Sequence, residues 1–180
     1  MPFLIALVAL LAAVCLTDLL LTVGVIRRLR VHSELLSGST RPQDDPVMAP
    51  GGTVGPFSAV TVGGVEISDA TLPVPALVGV FSPGCPACAE RLPLFAERAR
   101  AFPGGREHVL AVLTGTEPEV AAERDALVGV ARVVIEPPGT GVSRALRVRG
   151  FPSFALLGAG GTVLASGVTL DVLDDAPATA

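Results

Sequence analysis

The 180-residue chain has no tryptophan and no tyrosine, only three cysteines and only two histidines. Each shortage closes a route. Cys15, Cys85 and Cys88 are too few for the multi-bridge framework of a disulfide-rich scaffold. A closed zinc site needs four ligands, and beyond the Cys85/Cys88 pair the chain offers only Cys15, His32 and His108, all distant in sequence; no metal is expected. A net charge of −4 gives no general attraction to nucleic acid, so no such partner is expected either. No internal repeat is present.

What the chain does have is one long apolar segment. From Phe3 to Ile26, "FLIALVALLAAVCLTDLLLTVGVI" contains a single charge, Asp18. At about 1.5 Å rise per residue it is long enough for a hydrocarbon core of about 30 Å. A cleavable signal peptide carries basic residues before its apolar stretch, whereas here Arg27, Arg28 and Arg30 follow it. The reading is a retained single-pass transmembrane helix in a cell membrane, with the lipid bilayer as a partner. Cys15 reads as a small apolar residue of that helix. Val14 before it and the apolar run beyond it both argue against a lipoprotein site.

Residues 1–32 therefore read as a transmembrane anchor with a basic juxtamembrane helix. Residues 33–55, dense in Gly, Pro, Ser and Asp, read as a flexible linker, and 56–180 as one folded domain. In that domain "FSAVTV" and "VEIS" flank Gly63 and Gly64 as a hairpin. "ALVGVF" (76–81) is a continuous apolar run of the kind found in a strand covered on both faces. A helix from Pro86 to Ala101, a strand over 108–114, a helix over 117–128, a strand over 131–136 and a short helix over 142–148 follow. "FPSFALL" and "TVLASG" close the chain as a second hairpin. Alternating strands and helices between two hairpins define an α/β fold, a mixed central sheet flanked by helices.

This order places "FSPGCPACAE" (81–90) where a central strand passes into a helix. At a helix N-terminus, unpaired N–H groups and the macrodipole favour a thiolate, which makes Cys85 the candidate nucleophile. Pro86 supports that helix start, because its missing N–H needs no partner in the first turn. Cys88, about one turn on, is placed to resolve a mixed disulfide. A structural staple would close only a four-residue loop and contribute little. Haem attachment needs a histidine after the second cysteine, and Ala89 stands there.

The C-P-A-C pair after a buried strand, Pro93 in the following helix, and "GFPSFALLGAGGTVLASG" downstream together resemble the thioredoxin superfamily. Within it the chain is similar to membrane-anchored TlpA-like thiol–disulfide oxidoreductases and to the MauD-like accessory proteins of methylamine dehydrogenase. The resemblance implies a thioredoxin-like fold, with the 117–136 helix and strand as the TlpA-like insertion. It also implies a cis Phe151–Pro152 bond beside the cysteines, with Phe151 and Pro152 contacting a substrate peptide. The chain departs from the pattern at Gly79, where thioredoxins carry a buried acid, and at Ser82–Gly84, where a tryptophan-bearing approach is usual.

The function expected is thiol–disulfide exchange with protein substrates, served by a membrane or soluble redox partner and needing no cofactor. A narrower form is a maturation factor for one disulfide-containing partner. A non-catalytic client-binding module and a peroxidase-like redoxin are the alternatives; the two-residue spacing favours exchange over peroxide chemistry. Arginines after the anchor favour a cytoplasmic domain, whereas the resemblance favours the outer face, where disulfides persist. The expectation leans to the extracytoplasmic side.

Overall fold

Strand β3 (Ala76–Phe81) explains its own sequence: it is hydrogen-bonded on both sides and buried at every residue. Its neighbours are β4 (Val109–Thr114), parallel, and β6 (Ser153–Leu157), antiparallel. Outside these lie β5 (Arg132–Glu136), parallel to β4, and β7 (Val163–Gly167), antiparallel to β6, giving the order β5-β4-β3-β6-β7. These elements come from a computed structural model that describes residues 45–174.

Side chains alternate across a strand, and the two faces of the sheet carry different cores. Leu77, Phe81, Ala111, Leu113, Val133 and Phe154 pack with Leu92, Phe95, Ala96 and Ala99 of helix α1 (Pro86–Ala101) and Leu127 of α2 (Ala121–Leu127). Val78, Val80, Leu110, Val112, Val134 and Ala155 pack the other way, against Val142 and Ala145 of α3 (Gly141–Ala145). In a chain without tryptophan, three phenylalanines fill the centre of the first core. The Phe81 ring meets Phe95 and Phe154 edge-on, with centroids 5.3 Å and 5.8 Å away, and Phe95 stacks on Phe154 at 5.9 Å. Edge and offset arrangements of this kind suit the ring quadrupole and add about 0.5–1.5 kcal/mol per pair to the area buried.

The opening hairpin pairs β1 (Ser58–Val60) with β2 (Glu66–Ser68), and Gly64 takes the positive φ of its turn. Val62 N–H donates to Val133 O at 2.8 Å, so the hairpin's turn covers the free edge of β5. The helix expected over 117–128 is shorter. The Thr116 N–H and hydroxyl both donate to the Glu119 carboxylate, holding residues 117–120 as turns before α2 begins at Ala121. Pro93 lies within α1, which is assigned as one helix of 16 residues. After β7 the chain makes a 3-10 turn at Asp171–Leu173.

The linker reading needs correction at its second half. Residues 45–55 belong to the folded unit: Val47 and Val54 are buried, Met48 N–H donates to Leu146 O, and Val54 N–H donates to Gly161 O. A Gly- and Pro-rich composition hid three apolar residues, Val47, Met48 and Val54, whose burial holds this segment down. The expected anchor, with Cys15 and Asp18, and His32 beyond it lie outside the described residues. Among those described, no helix is long and apolar enough to cross a membrane.

Candidate functional site

The apolar run of β3 ends at Phe81, and Gly84, with φ +68°, turns the chain into the start of α1. Cys85 is the N-cap residue. Its backbone is extended (φ −90°, ψ 111°) and its Sγ accepts a hydrogen bond from Cys88 N–H at 3.2 Å. Pro86 occupies the first turn, which contains no acidic residue to oppose a negative charge on the sulfur. The Cys85 sulfur therefore stands at the N-terminus of a 16-residue helix, where it accepts a hydrogen bond from a first-turn N–H.

Both cysteines are thiols, and their exposure differs. Cys85 is partly exposed, while Cys88 is 3% exposed beneath it. Burial, followed by the hydrogen bond with the Cys85 side chain, pushes the Cys88 thiol from 9.0 up to about 12. Burial thus disfavours the charged form of Cys88.

The third member is backbone. Phe151–Pro152 is a cis peptide, and Phe151 O accepts from the Cys85 thiol at 3.7 Å. Ionisation of Cys85 gives up this contact and keeps the one from Cys88 N–H, leaving the Phe151 carbonyl free for another donor. Val74–Pro75 is also cis, which no sequence signal had marked.

The loop that carries Phe151 is tied from two directions. Glu136, buried at the end of β5, accepts from Val142 N–H at 3.0 Å, Ser143 N–H at 2.8 Å and Ser143 Oγ at 2.6 Å, which fixes the start of α3. Pro46 O accepts from Arg149 N–H at 2.8 Å, and Ser153 Oγ donates to Gly150 O at 2.7 Å. Sequence reasoning missed both supports, because Glu136 reads as an ordinary strand-end acid and Pro46 as linker.

Two other positions have structural explanations. Gly79 lies under the Phe95 ring, and His108 Nδ1 is 2.8 Å from Pro75 O, away from the cysteines. Among the described residues no three of His, Cys, Asp and Glu are grouped as metal ligands.

No protein-family model matches the chain, and comparison with curated proteins finds no match. Solved structures do. A thio-disulfide isomerase from Thermus thermophilus superposes with a TM-score of 0.57 at 17% identity, covering 71% of this chain and 94% of that one. The thioredoxin domain of a thiol-disulfide oxidoreductase from Bacteroides vulgatus gives 0.56 at 19% identity, with 70% and 93% covered. StoA from Bacillus subtilis gives 0.52 at 19% identity, with 64% and 89% covered. The chain has a thioredoxin-like fold.

Proposed function

We propose that this chain is a thiol–disulfide oxidoreductase acting on protein substrates. The observation that carries the reading is the placing of Cys85: partly exposed, N-capping α1, 3.7 Å from the Phe151 carbonyl, with a buried thiol one turn behind it. The solved proteins of like fold described as thiol-disulfide oxidoreductase and thio-disulfide isomerase lend support from outside the chain.

In the reducing direction, the Cys85 thiolate attacks one sulfur of a substrate disulfide. That bond breaks, a mixed disulfide forms, and the first substrate thiolate leaves and takes a proton. Cys88 then loses its proton and attacks Cys85 Sγ, closing the Cys85–Cys88 disulfide and releasing the second substrate thiol. The substrate gains two electrons, the pair loses two, and a redox partner restores it. Oxidation of a dithiol follows the same steps in reverse. Burial of Cys88 keeps the resolving thiol from reacting first.

The finer reading places this domain outside the cytoplasm, held to the bilayer by residues 3–26, as a maturation factor for a specific disulfide-containing partner. With Cys15 replaced by Ala, a membrane-impermeant maleimide applied to briefly reduced intact cells labels Cys85 and Cys88 if the domain is outside. Labelling only after lysis places it inside. The function itself is tested with full-length Cys88→Ala and Cys85→Ala variants. Cys88→Ala accumulates a mixed disulfide with few partners and Cys85→Ala accumulates none. If neither variant traps a partner nor alters turnover of a disulfide substrate, the proposal fails.

A further inference from the structure

We infer that the arginines ahead of the cis-proline loop form a docking surface for an acidic segment beside the reacting cysteine of the protein substrate. This deepens the oxidoreductase reading and rests on it.

Charge distribution carries the argument. The chain is acidic overall, yet from Pro137 to Leu170 it contains no Asp or Glu. The cations of that stretch, Arg144, Arg147 and Arg149, fall within six positions and all are exposed. Among the described residues none of the three is within ion-pair distance of a carboxylate, whereas Arg98, Arg106 and Arg124 are paired. The nearest acid in sequence, Glu136, is buried and occupied by Val142 and Ser143. Among the described residues three guanidinium groups thus stand without an ion-pair partner, on a chain whose net charge repels acidic ligands.

Position and shape agree. Arg149 is two residues before Phe151, whose carbonyl contacts Cys85, and its backbone is pinned by Pro46 O. Arg144 and Arg147 line a cavity of about 330 Å³ with Met48, Thr53, Gly55 and Ala145. The three arginines thus lie on the segment that leads directly into Phe151, whose carbonyl contacts Cys85. Forked guanidinium donors match carboxylates there. The docking charge acts mainly on encounter and so on the rate of exchange.

The test uses the reduced full-length protein and two synthetic peptide disulfides, identical except for glutamates or glutamines beside the cysteines. At about 0.02 M salt the glutamate peptide exchanges about tenfold faster, and at about 0.5 M salt the two converge to within about twofold. Replacing Arg144, Arg147 and Arg149 together by Gln removes the preference and leaves the glutamine peptide's rate unchanged; replacing all three by Lys keeps a preference. Anisotropy with the same peptides carrying serine for cysteine separates the two readings. Arginine-dependent binding of the glutamate form without any exchange sinks the oxidoreductase reading and leaves the surface standing. Equal rates and equal binding for both peptides, or a preference that survives the Gln replacements, overturns the surface.

Discussion

The Phe95 ring lies so close over Gly79 that a Cβ on that glycine would be 2.6 Å from ring Cε2. The absence of a side chain here is a packing requirement of α1 on β3. It also removes the position from which a buried acid serves the cysteines in the thioredoxins this chain resembles. Gly79→Ala is expected to cost about 1–3 kcal/mol by overpacking, and Gly79→Asp more, because the carboxylate would enter an apolar core. Urea unfolding of the full-length variants measures this; a Gly79→Asp protein as stable as the parent would show that the Phe95 contact yields.

Cys88 sets a pH dependence of known sign. Its thiol titrates near 9.0 when unfolded and at about 12 when folded, with burial as the first cause. Between those values the folded state holds a proton that the unfolded state has lost, so this group's contribution to stability falls as pH rises from 9 toward 12. Thiolate absorbance at alkaline pH should show one of the described thiols ionising late, and Cys88→Ala should remove that late step. A late step that persists in Cys88→Ala would assign the raised pKa elsewhere.

Arg132 is 7% exposed, and its Nε and Nη2 have no hydrogen-bond partner among the described residues. Burial lowers its pKa, against an opposing pull from Glu107. A charged group in that position pays for desolvation without a compensating bond. Arg132→Met should therefore be neutral or stabilising by about 1–2 kcal/mol. A clear loss in the unfolding midpoint would mean that the guanidinium has a partner in solution.

The folded unit begins at Asp45. A chain starting there should keep the unfolding midpoint of the full-length protein. One starting at 56 loses the burial of Val47 and Val54, about 1.5–3 kcal/mol each, together with the bonds from Met48 and to Pro46. Equal midpoints for both truncations would return residues 45–55 to the linker.

These expectations separate what local sequence encodes from what it does not. Periodicity and punctuation are local, so "ALVGVF" announced a buried strand, Gly63 and Gly64 a hairpin turn, and Cys85-Pro86 a helix start; each lies where its sequence placed it. The cysteine pair was legible for the same reason, since spacing and helix position need only neighbouring residues. Long-range contacts left no such mark. Even a local bond can escape the pattern: residues 117–120 read as helix, yet the Thr116–Glu119 bonds, three residues apart, hold them as turns. Val47 disappeared into a Pro- and Gly-rich stretch because its burial depends on the sheet and on α3, which come much later in the chain. The capping of α3 by Glu136 and the covering of Gly79 by Phe95 are likewise decisions of the tertiary structure, and the meeting of Cys85 with Phe151 was expected only through the family resemblance. Each joins residues whose separate sequence contexts say nothing about one another, and only packing both faces of one sheet brings them together.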